Sequence, residues 1–300
     1  MTVLRIGTRR SKLALAQVEE VLRLLAVRDV RADIVEMTTS GDEGTPASDS
    51  PQGLKGLWID TILDALDNGE IDLAVHSAKD LPAEEDDNFV ITAVPQRADP
   101  WDVLITREPG ALPEGATIGT SALRRRAQLL SGFPGITVRD LRGNVDTRLR
   151  KLAEGEVDAA VLASAGLARL GAVPDHASPL PLSVMVPAPG QGCLALQCRV
   201  DDAATREVLA PLDHADSHAA LDAERSLMWR LGGGCALPLG SYATPIEGGM
   251  KLTAMIALPD GSEILRVERS AETSEGVATL VARDLIDGGA ERILSAARTP

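Results

Sequence analysis

The chain has 300 residues, of which 44% are hydrophobic, and a formal net charge of -14 at pH 7. This length and apolar content predict a globular protein of about two or three domains, and the acidic balance argues against nonspecific nucleic-acid binding, which needs a basic face. No apolar run approaches the roughly 18 residues of a membrane span, and the N-terminal segment lacks the apolar core and cleavage site of a secretory signal. We therefore expect a cytoplasmic protein without a membrane segment.

The first third of the chain alternates between strands and helices. The predicted elements are a strand at 4–8, an amphipathic helix at 13–26, a strand at 31–37, a polar turn-rich loop at 38–53, a helix ending near Leu66 and a strand at 71–75. Arg9 and Ser11 follow the first strand, and Lys79 and Asp80 follow the third. Open α/β sheets bind ligands at the carboxyl ends of their strands. Taken singly, these residues are more often a solvated arginine, a helix cap and a surface ion pair.

The middle of the chain repeats this pattern after a crossing segment at 97–101. Strands are predicted at 103–106, 117–119, 138–141 and 159–163, and the apolar segment LALQC at 194–198 predicts a further strand that returns the chain to the first domain. Ser121, Arg124 and Arg125 lie between a strand and a helix, as Arg9 and Ser11 do earlier. The repetition predicts two similar α/β domains facing one cleft.

Arginines recur at the predicted strand ends and helix starts. Only five of the 30 basic residues are lysine. Genome composition explains such a bias as well as function does, but the rigid fork of arginine binds carboxylates with paired hydrogen bonds. We interpret the set as a clamp for a polyanion, formed by Arg9, Arg124, Arg125, Arg142, Arg148 and Arg169.

The last third contains the glycine-rich stretch LGGGCALPLGSYA at 231–243, preceded by a helix that starts near Asp213. Glycines let a ligand approach the backbone closely, so the loop can present Cys235 as a nucleophile. The alternative is that Cys235 is a small buried hydrophobe. The odd number of cysteines and the scattered histidines predict neither a disulfide framework nor a metal site. Strands at 252–258 and 263–268, joined through Asp260-Gly261, predict a hairpin in a small C-terminal α/β domain.

The ordered motifs resemble the porphobilinogen deaminase (hydroxymethylbilane synthase) family over essentially the whole chain. The matching segments are IGTRRSKLALAQ, TTSGD, GLKGLW, AVHSAKDLP, GTSALRRR, LRGNVDTRL, SAGLARLG, PAPGQG and GGGCALPLGSYA. The resemblance implies two periplasmic-binding-protein-like α/β domains around a cleft, with a small α+β domain that carries the cysteine. We expect domain 1 at 1–97 and 190–212, domain 2 at 98–189 and domain 3 at 213–300.

The resemblance also implies a reaction and a cofactor. Members of the family hold a dipyrromethane through a thioether, here expected at Cys235, and condense four porphobilinogen molecules on it. Each molecule loses ammonia to give an azafulvene, and hydrolysis releases linear hydroxymethylbilane for tetrapyrrole biosynthesis. Asp80 matches the catalytic carboxylate. The expected binding residues are the six arginines together with Ser11, Gln17, Lys55, Lys79, Ser121 and Gln191. A monomer is expected from the family.

Two other readings stay open from the residues alone. One is a cytoplasmic two-lobed binding protein that grips a polyanion reversibly and carries no covalent adduct. The other is an acyl transferase that uses Cys235, although the sequence offers no persuasive histidine partner.

Overall fold

The computed structural model describes residues 3–37, 53–84, 86–232 and 237–298, and for 53–58 and 298 it describes only the backbone. The predicted loop at 38–53, apart from its last residue, and Cys235 lie outside this part of the chain. The helices are α1 (Lys12–Ala26), α2 (Gly53–Asp67), α3 (Leu123–Gly132), α4 (Val145–Ala153), α5 (Ser164–Arg169), α6 (Ala203–Leu209), α7 (Ala215–Arg230), α8 (Ser274–Asp287) and α9 (Ala290–Arg298). The strands are β1 (Leu4–Arg9), β2 (Ala32–Met37), β3 (Leu73–Ser77), β4 (Phe89–Ala93), β5 (Asp102–Thr106), β6 (Thr117–Gly119), β7 (Thr137–Arg139), β8 (Ala159–Ala163), β9 (Ala177–Pro179), β10 (Leu194–Arg199), β11 (Leu239–Ile246), β12 (Gly249–Ala257) and β13 (Ile264–Ala271).

The described residues divide into two compact units. The first is built from Met1–Arg97 and Cys193–Ala219, and the second from Ala98–Gly192, Ala220–Gly232 and Leu237–Pro300. Each unit contains its own buried apolar clusters. The finer division into three domains stays a prediction.

The first unit contains a mixed sheet with strand order β2-β1-β3-β10-β4. β1 is parallel to both β2 and β3, whereas β10 is antiparallel to β3 and β4. The apolar face of α1 covers the sheet through buried residues such as Val18 and Val21, which pack with Ile6 and Leu196. Ser11 caps α1 by accepting a hydrogen bond from the Ala14 N–H at 3.2 Å, as Ser at an N-cap typically does.

The second unit contains a sheet built on the same plan, with order β7-β6-β8-β5-β9. β6 is parallel to β7 and β8, and β5 is antiparallel to β8 and β9. In each sheet three parallel strands lie side by side. The strand that comes second in the chain lies at the edge, the first lies next to it, and the third lies on the other side of the first. The next strand, β10 or β5, is antiparallel to the third. The predicted repetition of the α/β motif is therefore confirmed.

The C-terminal part adds an antiparallel sheet with order β11-β12-β13. The predicted hairpin is confirmed: β12 and β13 pair directly, and Gly261 in the connection has a φ of 73°, a value that favours glycine. Val277 and Val281 of α8 are buried. Ala127 of α3 packs with Met255 and Ala257 of β12, so this sheet shares a core with α3, which belongs to the same unit. The α/β fold class with a smaller α+β part is confirmed.

Three strands that the sequence reading did not predict, β4, β9 and β11, all lie at sheet edges. An edge strand pairs on one side only and tolerates residues that a central strand excludes. β11 contains Pro245, and β9 ends in Pro179. β9 and β11 therefore carry a weaker strand signal than the central strands, whereas β4 has the sequence FVITA, which is rich in strand-forming residues, and was missed despite that signal.

Candidate active site

In the first unit, the predicted polar residues lie at one edge of the sheet. β1 ends at Arg9, and β3 ends at Ser77 and continues into a 3₁₀ turn over Ala78–Asp80. Because β1 and β3 are parallel neighbours, their carboxyl ends meet at the same edge. Arg9, Ser11, Lys79 and Asp80 are all half-buried there. The topology thus brings a carboxylate, two cations and a hydroxyl to one place.

Gln17 lies beneath this edge. It is buried on α1, and its Nε2 donates a hydrogen bond to Ser77 Oγ at 2.5 Å. The turn after Ser77 is also fixed through its backbone, since the Ala78 N–H donates to the Cys193 carbonyl at 3.1 Å. Both contacts restrain the turn that carries Lys79 and Asp80. A direct contact between Gln17 and a ligand stays a prediction.

In the second unit, Arg124 and Arg125 converge on one buried carboxylate. Asp102 is the first residue of β5 and has no exposed surface. Its Oδ2 lies 2.8 Å from Arg124 Nη1, and its Oδ1 accepts hydrogen bonds from Arg125 Nε and Nη2 at 3.1 and 2.7 Å. Arg124 and Arg125 are themselves only 4% and 5% exposed. Within the described residues, both of their ion pairs are with Asp102, so the cluster keeps one net positive charge.

The charges in this cluster control the ionisation of Asp102. Burial on its own raises the pKa of a carboxyl group, but the charges of Arg124 and Arg125 outweigh burial, helped by hydrogen bonds from Arg124 and Gln191. The pKa of Asp102 is therefore held far below its usual range. Burial lowers the pKa of Arg124, and Asp102 opposes that effect. The ion pair is present throughout the neutral pH range.

Replacing Arg125 with methionine is expected to destabilise the protein by about 3 kcal/mol at neutral pH, because a buried carboxylate loses a partner of opposite charge. Asp102 titrates below its unfolded value, so its stabilising contribution is present above pH ~3.8 and is lost as the pH falls further. The difference between variant and wild type should thus shrink below about pH 4. Urea unfolding at several pH values measures it.

Arg126→Met is the matched control for this prediction. Arg126 lies on the same helix and donates to the Val138 carbonyl at 3.1 Å, without a carboxylate partner among the described residues. Its replacement should cost about 1 kcal/mol, the net value of one hydrogen bond. Equal losses in the two variants would contradict the special role of the Asp102 pair.

Gln191 connects Asp102 with the loop PAPGQG. Its Nε2 donates to the Pro100 carbonyl at 2.7 Å and to Asp102 Oδ1 at 3.0 Å, and the residue is buried. Next to it, the Gly190 N–H donates to Glu224 Oε2 at 2.5 Å. The other oxygen of Glu224 accepts from the Ala243 N–H at 2.8 Å. The loop is thus held by two buried side chains from different elements.

The other predicted arginines of the second unit occupy two further places. Arg148 Nε donates to the Gly143 carbonyl at 2.8 Å, beside Arg142 in the loop before α4. The side chain of Arg142 is 73% exposed and pairs with Asp140 at 3.2 Å. Arg169 is half-buried, and its Nη2 donates to the Gly192 carbonyl at 3.2 Å. Ser121 donates weakly to the Leu141 carbonyl at 3.4 Å, directly before Arg142. Arg142, Arg148 and Ser121 therefore form one group, and Arg169 lies at the PAPGQG loop.

Two predicted residues cannot be placed in this geometry. Cys235 lies outside the described residues, and the side chain of Lys55 on α2 does too. The other cysteines, Cys193 and Cys198, are both buried. Burial raises the pKa of the Cys198 thiol, which lies 3.0 Å from Thr92 Oγ1. A raised pKa disfavours the thiolate, so Cys198 is a poor nucleophile.

Comparison with known proteins identifies the family. The family model for the dipyromethane cofactor binding domain of porphobilinogen deaminase matches residues 4–207, and the model for the C-terminal domain of the same enzyme matches residues 219–287. The chain belongs to the porphobilinogen deaminase family. It is 42% identical to the porphobilinogen deaminase of Brevibacillus brevis over 297 residues, covering 97% of this chain and 96% of that protein. It is 44% identical to the porphobilinogen deaminase of Shouchella clausii over 301 residues, covering 98% and 97%.

Among solved structures, the chain is similar to the periplasmic VFT2 domain of Bordetella pertussis BvgS. The sequence identity is 16%, the match covers 75% of this chain and 92% of that one, and the TM-score is 0.42. Within the described ranges, no helix is both long enough and apolar enough to cross a membrane.

Membership of the porphobilinogen deaminase family confirms the main functional predictions. The chain is an enzyme of tetrapyrrole biosynthesis, a hydroxymethylbilane synthase, and its cofactor is dipyrromethane.

Asp102 and Glu224 were not identified by the sequence reading, although both are fully buried and hold site elements in place. The sequence does mark Asp102, because it is the charged first residue of the largely apolar strand segment DVLIT. Charged residues are almost never fully buried unless they are paired. For Glu224, the sequence of α7 carries no comparable mark, because charged residues occur all around that helix.

Proposed function

We propose that Asp80 is the catalytic carboxylate of the porphobilinogen-condensing reaction and that Cys235 holds the dipyrromethane. The observation that supports the role of Asp80 is its position in the turn immediately after β3, at the sheet edge that it shares with Arg9 and Ser11. The side chain is half-buried, which leaves it accessible to a ligand while limiting its hydration. Asp80 carries the negative charge that the chemistry needs.

The chemistry places two demands on this carboxylate. When the carbon–nitrogen bond of porphobilinogen breaks, the amine leaves as ammonia and a positive charge spreads over the pyrrole ring. A carboxylate at the ring N–H stabilises that charge and can hold the proton that is released when the new carbon–carbon bond forms. Lys79 and Arg9 at the same edge supply cations for the acetate and propionate groups of the substrate.

The second unit offers the donor set that a dipyrromethane needs. Its pyrrole rings carry acetate and propionate groups, and an unpaired buried carboxylate is costly. The cluster of Arg124, Arg125 and Asp102 keeps one net positive charge in a buried position, so it fits a carboxylate of the cofactor. When bound, dipyrromethane supplies the free pyrrole carbon that acts as the nucleophile. We assign Cys235 to the thioether, and Gln17, Lys55, Ser121 and Gln191 to the supporting contacts.

The exposed group around α4 is suited to the growing chain. Every condensation adds two carboxylates, so further cations are required as the product lengthens. Arg142 is well exposed, and its ion pair with Asp140 is a weak surface pair that a ligand carboxylate can replace at little cost. Arg148 lies on α4, shortly after the loop that carries Arg142, and Arg169 contributes a further cation at the PAPGQG loop.

Arg142→Ala is expected to lower product formation by about 10- to 100-fold, because a substrate carboxylate loses a charged hydrogen-bond partner. Since the side chain is exposed, the midpoint of thermal unfolding should stay unchanged. Arg150→Ala is the control: Arg150 is an exposed arginine of α4 that pairs with Glu154 at 2.7 Å. Steady-state rates with porphobilinogen compare the variants. A wild-type yield from Arg142→Ala would remove this residue from the proposed site.

The proposed function is tested by stoichiometry. Purified enzyme is incubated with porphobilinogen, and released ammonia and hydroxymethylbilane are both measured. Four ammonia molecules for each linear product are expected. Reversible binding of porphobilinogen without ammonia would instead support the two-lobed binding protein.

The proposal that the protein is a monomer is based on the family resemblance. A cytoplasmic location stays a prediction from the sequence. Light scattering of the purified protein during gel filtration measures its mass. A value near 31.5 kDa is expected for a monomer.

A further inference from the structure

Arg124 and Arg125 both contact Asp102 but differ in which of their guanidinium nitrogens are hydrogen-bonded. Each guanidinium nitrogen of Arg125 already donates within the second unit: Nε and Nη2 to Asp102, and Nη1 to the Val161 carbonyl at 3.0 Å. The contacts of Arg124 with described residues are made by Nη1, which lies against Asp102 and donates to the Val186 carbonyl. In the part of the chain that the structure describes, Nε and Nη2 of Arg124 have no hydrogen-bond partner.

The unused nitrogens of Arg124 form the edge of the guanidinium that binds carboxylates with two parallel hydrogen bonds. The same edge of Arg125 is occupied, because its Nε and Nη2 both donate to Asp102. Two adjacent arginines on one helix therefore differ in their hydrogen bonding. The Nε and Nη2 edge of Arg125 is occupied by Asp102, whereas the same edge of Arg124 is available to a ligand.

We propose that Asp102 is a positioning residue for the reaction. Asp102 holds Arg125 in a structural ion pair. It also orients Arg124 so that Nε and Nη2 of Arg124 bind a carboxylate of a pyrrole ligand. This inference rests on the proposed function. The charge count supports it, since one carboxylate against two guanidiniums leaves one positive charge for the ligand to neutralise.

The surroundings of Asp102 hold it in this orientation. Its Oδ1 also accepts from Gln191 Nε2 at 3.0 Å, and the loop that carries Gln191 is fixed by the bond from Gly190 to Glu224. On the helix side, Gln128 Nε2 donates to the Val186 carbonyl at 3.2 Å, and its Oε1 accepts from the Val186 N–H at 2.7 Å. Val186 is also the acceptor for Arg124, so both bonding partners of Arg124 Nη1 are fixed.

Asp102→Asn tests the proposal, because it keeps the shape of the side chain and removes the charge that orients the arginines. The intact mass of the purified variant shows which fraction carries the dipyrromethane adduct, and steady-state kinetics separate KM from kcat. We expect a smaller loaded fraction and a KM for porphobilinogen raised about tenfold, whereas kcat of the loaded enzyme changes less. Unchanged loading and KM, even with a lower unfolding temperature, would show a purely structural role.

Asp158→Asn is the matched control. Asp158 lies in the same unit, accepts from the Thr117 N–H at 2.9 Å and pairs with Arg107, so its loss also weakens the fold. It should lower the unfolding temperature without changing KM or loading. If loss of stability alone reduced loading, both variants would lose adduct in proportion to their unfolding temperatures, and the proposal would be overturned.

Arg124→Lys decides the question if Asp102→Asn does not fold. Lysine keeps the charge next to Asp102 but lacks the two-nitrogen edge. A folded variant with reduced loading and a raised KM supports the proposal, and wild-type values overturn it. Wild-type enzyme is measured in parallel: if it carries no adduct and releases no ammonia, the proposed function fails, whereas normal wild-type behaviour confines any failure to Asp102 and Arg124.

Discussion

Asp80→Asn is expected to reduce hydroxymethylbilane formation by roughly 10²- to 10⁴-fold, the range associated with a positioned acid–base group. The amide has nearly the same shape as the carboxylate, so the 3₁₀ turn over Ala78–Asp80 should be retained. The amide lacks the negative charge, however, and cannot stabilise the cation that forms when ammonia leaves. Ammonia release and product formation under saturating porphobilinogen measure the effect.

The control for this prediction is Asp86→Asn. Asp86 is an exposed carboxylate a few residues along the chain, and its Oδ1 accepts from the Asn88 N–H at 2.9 Å, a bond that an asparagine oxygen can also accept. Its rate should match the wild type. The unfolding temperatures of both variants should lie close to that of the wild type. Normal turnover by Asp80→Asn would mean that another group performs the charge stabilisation.

Cys235→Ser is expected to abolish the covalent adduct entirely. A thioether requires a thiol, and serine is the closest replacement that keeps the size of the side chain but loses the soft nucleophile. The intact mass of the wild type should exceed that of its polypeptide by the mass of one dipyrromethane. The variant should show the polypeptide mass alone, before and after incubation with porphobilinogen, and should form no product.

Cys198→Ser provides the comparison within the same chain. Cys198 is fully buried on β10, and burial raises the pKa of its thiol, so it is not expected to react. This variant should carry the same adduct as the wild type, although the polar hydroxyl in an apolar core lowers its stability. An adduct that survives in Cys235→Ser but is lost in Cys198→Ser would move the attachment site to β10.

Open α/β sheets bind ligands at the carboxyl ends of their strands, and this rule predicted well which polar residues lie at that edge in the first unit. Arg9 ends β1 and Ser11 follows it, Lys79 and Asp80 follow β3, and the parallel pairing of β1 with β3 brings the four residues to one edge. The rule was less informative for the second unit. There the predicted clamp is spread over three places, at Asp102, at the loop before α4 and at the PAPGQG loop.

The sequence by itself determined the secondary structure of the central strands, the repeated strand-to-helix motif and the family. These properties depend on local hydrophobic periodicity and on the order of short motifs, which are readable without knowing which residues meet in space. The hairpin at Asp260-Gly261 is likewise readable from the local sequence, since adjacent residues determine its turn.

Only the tertiary structure decided that Arg124 and Arg125 share Asp102 and that Gln191 joins them. Gln191 is separated from Asp102 by 89 positions in the chain, and Gln17 is separated from Ser77 by 60. Such contacts join residues of different elements, and Asp102, at the start of β5 between β8 and β9, is fully buried. Burial then makes pairing obligatory, since an isolated charge is too costly in the interior. The different bonding of the two arginines to Asp102 follows from these tertiary contacts and from no local feature of the sequence.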